Sequence, residues 1–259
     1  MMMQLQLALD DRPALLAEVH WRLLQRFGRQ GPYLRLDPVS QLVLGLLGGR
    51  TRGEVSQAAF ERLVLSFEDW AAVRDAPLAQ VHRLVSAVTF AEDKAPRLKQ
   101  ALAAITAGNG RPCLDRLMHL TVAESLFRLE RLPGVGRKVA AATLNFSTLA
   151  KPALVIDTHH LRVLRRLGLV GRCTDFRQAY DTVMPLLPSS WDAVEICQHH
   201  VLFKRLGQDV CHHAVPLCER CPLVDLCPTG RLRVTAGGSQ IAARSILEER
   251  SRMRSRLGP

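Results

Sequence analysis

The segment Leu132-Pro133-Gly134-Val135-Gly136-Arg137-Lys138 joins two amphipathic helical runs, over residues 121–131 and 137–149. Pro followed by Gly predicts a tight turn. The two glycines lack Cβ atoms, so an anion can approach the main chain closely, and the N-terminus of the second helix adds partial positive charge. Phosphate binding by backbone and charge is one interpretation. An ordinary corner between two helices would use the same glycines.

Helical periodicity extends over most of the chain on both sides of this corner. The other predicted helices lie between Asp11 and Gly28, between Asp37 and Gly49, from Thr51 to about Ser66, and over residues 68–75, 77–87, 92–107, 158–167, 175–187 and 191–206. Thr51 with Glu54, and Thr121 with Glu124, have the spacing of capping boxes. Strand pairs of period two and hairpin turns are missing from the sequence pattern, which therefore predicts an all-α fold.

The composition of the chain indicates which class of partner it binds. The chain has 259 residues, is 47% hydrophobic and carries a formal net charge of +11, which favours a polyanion such as nucleic acid. Its start, Met1–Pro13, lacks the basic and apolar regions of a secretory signal, and its longest apolar run, Leu42–Gly49, is too short to cross a bilayer. We therefore expect an intracellular protein without a membrane partner.

Four cysteines follow one another closely near the C-terminus: Cys211, Cys218, Cys221 and Cys227, in the spacing C-x6-C-x2-C-x5-C. They imply either a metal centre or two disulfides, and an intracellular location favours metal. A zinc site usually pairs two short knuckles, whereas only Cys218 and Cys221 form one here. The compact array therefore suits a larger cluster more naturally, and zinc stays an alternative.

Lys138 falls in the first turn of its predicted helix, the end where the helix dipole disfavours a cation. This placement, partial burial and the neighbouring Arg137 would lower its pKa and release a neutral amine nucleophile. Such an amine can attack an electrophilic sugar carbon and form a Schiff base. The alternative is a surface lysine that contacts phosphate.

Asp157 directly precedes the helical run that starts at Thr158. A helix N-cap would account for an aspartate at this position. In a second interpretation, its carboxylate faces Lys138, stabilises a cationic sugar and handles a proton. The two roles are compatible, because a capping side chain is held rigidly.

Leu132–Lys138, Val155–His159 and the four-cysteine array together resemble the endonuclease III family, helix-hairpin-helix DNA glycosylases with a [4Fe–4S] cluster. The resemblance covers roughly residues 15 to 228 in family order. It implies an all-α protein of two helical domains with a substrate cleft between them. A six-helix domain with the hairpin spans 31–150, and a cluster domain comprises 1–30 and 151–230. Apolar periodicity is lost after Cys227, so residues 231–259 are predicted to be a basic, partly disordered tail with seven arginines.

By this resemblance Lys138 corresponds to the family nucleophile, Asp157 to its essential carboxylate, and the four cysteines hold a [4Fe–4S] cluster with a structural and DNA-binding role. It implies a bifunctional DNA glycosylase/AP lyase of base excision repair that removes oxidised pyrimidines through a Schiff base and cuts the strand by β-elimination. The partner would be double-stranded DNA with damaged bases or abasic sites. The resemblance further implies a monomer in the cytoplasm, associated with the nucleoid.

The expected DNA contacts include Arg50, His159 and five hairpin residues, namely Leu132, Gly134, Val135, Gly136 and Arg137. Arg50 stands where relatives carry a glutamine that fills the gap left by a flipped base; arginine can fill the gap, and the opposite-base preference is left open. The Val88–Asp93 segment lacks the usual wedge pattern, so it predicts no wedge residue. The loop His212–Leu217 lacks the Lys or Arg of relatives, a role that Lys204, Arg205 or Arg220 would take.

Two other functions use the same residues. One is an AP lyase, or a glycosylase for a different lesion, on the same scaffold. The other is a non-catalytic iron–sulfur DNA-binding protein, and Lys138 and Asp157 argue against it because binding alone requires neither.

Overall fold

The computed structural model describes residues 11–31, 34–106, 108 and 110–235. Eleven α-helices are bounded within this part of the chain: α1 Arg12–Phe27, α2 Pro38–Leu47, α3 Gly53–Ser66, α4 Trp70–Asp75, α5 Leu78–Val85, α6 Ala91–Ala104, α7 Val122–Leu129, α8 Arg137–Phe146, α9 Thr158–Leu167, α10 Phe176–Val183 and α11 Ala193–Asp209. Short 3-10 turns cover Asp115–His119, Met184–Leu186 and Cys218–Arg220. Across the described residues β-pairing is limited to two isolated bridges, which confirms the all-α prediction.

Local sequence signals explain where several helices begin. The Asp37 carboxylate accepts hydrogen bonds from the Val39 and Ser40 amides, and Pro38 occupies the first position of α2. Thr121 and Glu124 form the predicted capping box of α7.

The predicted Thr51–Glu54 capping box is wrong. Arg52 precedes α3 and makes no side-chain cap. The Thr51 hydroxyl instead accepts hydrogen bonds from Lys94 Nζ at 2.9 Å and from the Thr89 amide at 3.1 Å. The hydroxyl is therefore used by tertiary contacts that the local spacing does not reveal.

Backbone contacts divide the chain into two compact units. The larger unit comprises residues 31–157 and 175–200. Within it α2 packs against α8, α3 and α6, while α8 also contacts α7 and α10. The contact between α2 and α8 is close, because a Cβ atom built on Gly45 would lie 2.9 Å from Val139 Cγ1.

The described part of the smaller unit comprises residues 11–30, 158–174 and 201–235. Leu16, Val19 and Leu23 lie on one face of α1 and are completely buried. The sequence placed residues 175–200 with the cluster domain. Backbone contacts group them with the larger unit instead, because α10 packs against α8. The functional assignment of the two domains stays a prediction.

The described residues after Cys227 differ from the sequence-based prediction. Residues 228–235 are helical, although the sequence loses apolar periodicity after Cys227. The rest of the predicted basic tail, 236–259, lies outside the described residues. No helix in the described part is long and apolar enough to cross a membrane.

Candidate active site and cysteine cluster

The hairpin between α7 and α8 is closed by a tight turn. The Val135 amide donates to Leu132 O at 3.1 Å, and Gly134 at the third position has φ +78°. Pro at the second position and positive φ at the third define a type II turn. A side chain at Gly134 would also approach Leu46 Cδ2 at 3.2 Å and Arg97 Cδ at 3.3 Å. Conformation and close packing therefore both require glycine here.

Gly136 is the N-cap of α8, and open space lies where its Cβ atom would be. Lys138 is the second residue of α8 and is half-buried. The next residue, Val139, is buried against α2 at Gly45. The first turn of α8 is thus fixed on one side by packing, while its N-cap stays accessible.

Arg137, predicted to contact DNA, has its side chain engaged within the protein. Its Nε donates to Glu130 Oε1 at 2.6 Å and its Nη1 to Asp181 Oδ1 at 2.7 Å. The guanidinium carbon also lies 4.6 Å from the centroid of the Tyr180 ring. Only 11% of the Arg137 side chain is exposed. These contacts tie the start of α8 to α10, and they leave the guanidinium little surface for a phosphate.

A cavity of about 380 Å³ opens beside the hairpin. Its lining includes Gly134 and Val139 from the hairpin and α8, and the charged residues Arg50, Asp93, Lys94 and Arg97. Three cationic side chains against one carboxylate make this wall basic. Its volume falls within the range of small-molecule sites, about 300–1,000 Å³.

Arg50 and Phe90 form a pair at the edge of this cavity. The Arg50 guanidinium carbon lies 5.8 Å from the centroid of the Phe90 ring, within cation–π range. Both residues have left-handed backbone conformations, with φ of 55° and 59°. Phe90 is 46% exposed although it is a large apolar side chain. Sequence reasoning assigned no wedge in this segment; the signals that identify Phe90 are its exposure and its stacking with Arg50, both of which are tertiary.

Lys94 was not predicted as a site residue. Its Nζ donates to Leu47 O at 2.7 Å, Gly49 O at 2.6 Å and Thr51 Oγ1 at 2.9 Å. Burial, with the neighbouring charge of Lys138, lowers the pKa of Lys94 to about 8. The structure therefore brings two lysine side chains, Lys94 and Lys138, close enough for their charges to interact.

Asp157 follows a fully buried segment, Ala153–Ile156, and precedes α9. It is half-buried. His159 is also half-buried; its Nδ1 lies 3.2 Å from Arg162 Nη2, and its Cβ atom faces Gly207 so closely that a Cβ there would approach it to 2.7 Å. These contacts pack His159 against α11, so its predicted DNA contact gains no support from its position.

The four clustered cysteines form no disulfides and are partly exposed. Arg166 of α9 anchors the first of them: its Nη1 lies 3.1 Å from Cys211 Sγ and donates to His212 O at 2.7 Å. At the other end of the array, the Gly230 amide points at Cys227 Sγ at 3.3 Å. Amide and guanidinium donors directed at sulfur are suited to stabilise thiolates.

Burial raises the pKa of the Cys221 thiol to about 11, and the charges of Cys211, Cys227 and Cys218 add to this rise. All four sulfurs are therefore near enough to influence one another. Within the described residues, no three His, Cys, Asp or Glu side chains are grouped so as to hold a single metal ion.

Comparison with known proteins finds relatives along most of the chain. A protein named Endonuclease III from Thermotoga maritima is 28% identical over 220 residues, which cover 85% of this chain and 95% of the relative. Endonuclease III from Bacillus subtilis is 28% identical over 171 residues, covering 66% of this chain and 70% of the relative. No protein-family profile matches the chain.

Solved structures share the fold. A non-covalent Endonuclease III–DNA complex superposes with a TM-score of 0.72 at 21% identity, covering 86% of this chain and 98% of that protein. A thermostable thymine-DNA glycosylase gives a TM-score of 0.69 at 16% identity, covering 86% and 99%. In sequence and in fold, this chain is therefore related to the endonuclease III family.

Proposed function

We propose that this protein is a bifunctional DNA glycosylase/AP lyase of base excision repair. Lys138 is its nucleophile, and double-stranded DNA with damaged bases or abasic sites is its substrate. The observation that carries the proposal is the position of Lys138: it lies in the first turn of α8, directly after the Leu132–Val135 turn, and is near Lys94 of the basic cavity. The relatives named Endonuclease III support the same class of enzyme.

The chemistry follows from an amine and a carboxylate. The neutral Lys138 amine attacks C1′ of the damaged nucleotide, the bond to the base breaks, and the base departs with the bonding electron pair after protonation. The C1′–O4′ bond of the resulting adduct then opens, with O4′ taking the bonding electron pair and a proton, and a protonated Schiff base forms at C1′. This iminium makes the C2′ proton acidic, and loss of that proton expels the 3′ phosphate by β-elimination. Asp157 is the group we assign to stabilise the cationic sugar and to handle the proton.

The hairpin would hold the DNA backbone. The first amides of α8 lack intrahelical acceptors, and Gly136 leaves them accessible. Backbone contacts of this kind position a duplex without reading its sequence. Arg137 serves this surface indirectly, since its bonds to Glu130 and Asp181 hold the start of α8 in place.

Arg50 and Phe90 are candidates to occupy the space that an extruded nucleotide leaves in the duplex. Their stacked side chains offer an apolar ring and a planar donor group at the cavity edge. Two non-glycine residues in left-handed conformations support a functional role, because such conformations cost free energy that the fold must offset.

Cys211, Cys218, Cys221 and Cys227 would hold a [4Fe–4S] cluster, which would organise the loop between α11 and residue 228. The donor set fits: four thiols interact electrostatically, and Arg166 and the Gly230 amide are directed at two of the sulfurs. Iron–sulfur clusters are held by cysteine thiolates in this way. The bond-breaking steps involve Lys138 and Asp157 rather than these cysteines.

Borohydride trapping on a duplex with one abasic site tests the assignment. We expect a covalent adduct with the native chain and none with Lys138→Ala. Lys151→Ala is the matched control, since the Lys151 ammonium donates to the carbonyls of Met118 and Leu120, outside the residues assigned to the reaction. Undiminished trapping by the Lys138 variant would contradict the proposal.

Base-release assays on a panel of lesion duplexes test which damaged bases the protein removes. Faster release of oxidised pyrimidines than of other lesions is the expected result. Cleavage confined to abasic sites would identify an AP lyase, and binding without any cleavage would identify a non-catalytic DNA-binding protein.

A further inference from the structure

We propose that Arg166 is a positioning residue for the [4Fe–4S] cluster: it binds both ends of the four-cysteine array and donates a hydrogen bond to the Cys211 sulfur, which raises the reduction potential of the cluster. The inference rests on the proposed function, in which the four clustered cysteines hold that cluster. It assigns a role in setting the electronic state of the cluster to a residue outside the four ligands.

The Arg166 side chain binds the first end of the array. Its Nη1 atom has two N–H groups and faces two acceptors, Cys211 Sγ at 3.1 Å and His212 O at 2.7 Å. Its Nη2 donates to His213 O at 2.8 Å. The planar fork of a guanidinium suits three separate acceptors, whereas a lysine ammonium concentrates its donors on one atom. The Cys211 sulfur is therefore fixed relative to α9 by a side chain that also holds the loop after it.

The Arg166 backbone binds the other end of the array. Its carbonyl oxygen accepts a hydrogen bond from the Thr229 hydroxyl at 3.0 Å, and the Cys227 sulfur lies 3.3 Å from the same oxygen. A cysteine that binds metal has lost its proton, so in the loaded protein the Thr229 hydroxyl is the donor to this carbonyl. One residue of α9 thus connects the first and the last cysteine of the array.

The positive charge of Arg166 faces sulfur and backbone oxygens rather than a carboxylate. Within the described part of the chain its side-chain contacts are Cys211 Sγ and the carbonyls of the following loop. Of the other charged groups that act on the array at Cys218, Arg233 and Glu219 have opposite signs. The Arg166 charge is therefore available to stabilise thiolate ligands.

A donor of this kind changes the balance between the two oxidation states of a cluster. Hydrogen bonds to sulfur are one of the means by which a protein sets the potential of an iron–sulfur cluster. The reduced cluster carries one more negative charge than the oxidised one, so a cationic N–H donor stabilises the reduced form more. Loss of the Arg166 guanidinium should therefore lower the reduction potential.

The neighbouring Arg165 provides a matched control. It lies on the same helix, is half-buried like Arg166, and donates from Nη2 to a loop carbonyl, Thr174 O, at 2.6 Å. Its side-chain hydrogen bonds to the described residues do not reach a cysteine. If Arg166 only fastened α9 to a loop, Arg165→Gln and Arg166→Gln would have similar effects.

The test is the midpoint potential of the cluster in full-length protein purified with bound iron, followed by electron paramagnetic resonance. In Arg166→Gln we expect the reduced form to lose about tenfold in stability relative to the oxidised form, which lowers the potential by about 59 mV for a one-electron couple. Arg166→Lys, which keeps the charge without the fork, should give an intermediate potential, and Arg165→Gln the native one. A native potential in iron-loaded Arg166→Gln would overturn the inference.

Release of iron to a chelator gives a second readout of the same variants. Loss of a group that orients a metal ligand weakens metal binding by about 10- to 100-fold, so iron release from Arg166→Gln should be about tenfold faster than from the native protein. Arg165→Gln should release iron at the native rate. Equal acceleration in the two variants would show that both arginines act only through the fold.

A measurement on the native protein covers the case in which Arg166→Gln binds no iron. With arginine labelled by nitrogen-15, electron–nuclear double resonance on the reduced cluster should detect a guanidinium nitrogen hydrogen-bonded to a ligand sulfur. Absence of that coupling would overturn the inference. Native protein without iron and visible absorption would instead remove the cluster assignment, and trapping that persists in Lys138→Ala would remove the proposed reaction, so the failures are distinguishable.

Discussion

Arg137 is joined to Glu130 through a 2.6 Å hydrogen bond between Nε and Oε1, with 11% and 7% of the two side chains exposed. Arg177 donates to the second oxygen of the same carboxylate at 2.7 Å. An enclosed carboxylate with two arginine partners connects the end of α7, the start of α8 and α10. The arginine next to the proposed nucleophile is thus part of the scaffold.

We expect Glu130→Ala to lower the free energy of unfolding by about 3 kcal/mol, because it leaves the Arg137 guanidinium without its main partner in an enclosed site. Urea denaturation followed by circular dichroism measures this loss. Asp181→Ala is the control, since Asp181 is 59% exposed and its removal should cost less than about 1 kcal/mol. Equal losses in the two variants would refute the central position of Glu130.

Gly45→Ala should destabilise the protein by about 1–3 kcal/mol, because the added methyl group would lie 2.9 Å from Val139 Cγ1. Helix propensity alone predicts the opposite sign, a gain of up to about 1 kcal/mol. Trapping should also slow, since Val139 follows Lys138. Gly53→Ala, where nothing lies within 4 Å of the new Cβ, should be neutral or stabilising.

A double-mutant cycle of Gly45→Ala with Val139→Ala checks whether contact with Val139 causes the loss of stability. Removing Val139 Cγ1 relieves the clash. The loss of unfolding free energy in the double variant should therefore be smaller than the sum of the losses in the two single variants. Strict additivity would show that some other contact causes the Gly45→Ala effect.

Phe90→Ala is expected to weaken binding to an abasic duplex by about 1–3 kcal/mol, the usual contribution of one stacked aromatic side chain. Unfolding should change little because Phe90 is 46% exposed. Fluorescence anisotropy with a labelled duplex measures the affinity. Phe127 is the matched control: it is 63% exposed and also lies under an arginine, Arg131 at 5.6 Å, so Phe127→Ala should bind as the native chain does.

The stability difference between the native chain and Lys94→Gln should depend on pH between about 8 and 10.5. The pKa of Lys94 is lowered from 10.5 to about 8 by burial and by Lys138, so in this window the unfolded chain binds more protons than the folded one. The native chain therefore gains stability relative to the variant as pH rises through the window. Urea midpoints at pH 7, 8, 9 and 10 measure the difference, and a pH-independent difference would contradict the shift.

Cys218→Ser should abolish the visible absorption and the bound iron of aerobically purified protein, because a [4Fe–4S] cluster requires all four thiolates. Cys173→Ser, which changes an exposed cysteine outside the array, should leave both unchanged. Bound zinc without visible absorption in the native protein would show that the array holds a different metal.

Several elements follow from sequence because their signals are local. The type II turn at Pro133-Gly134 and the Thr121–Glu124 capping box depend on residues within four positions of each other, and both form as their spacing predicts. The all-α fold follows from helical periodicity for the same reason. The Thr51–Glu54 box failed although its spacing is equally good, because Lys94, distant in sequence, takes the Thr51 hydroxyl.

The sequence by itself determined the helical fold, the hairpin corner, the position of Lys138 in the first turn of α8 and the four-cysteine array, since each depends on neighbours along the chain. Only the tertiary structure decided that Arg137 is enclosed by Glu130 and Asp181, that Arg50 stacks on Phe90, and that Lys94 lies near Lys138. Burial and charge pairing depend on which helices pack together, and no local pattern encodes those contacts.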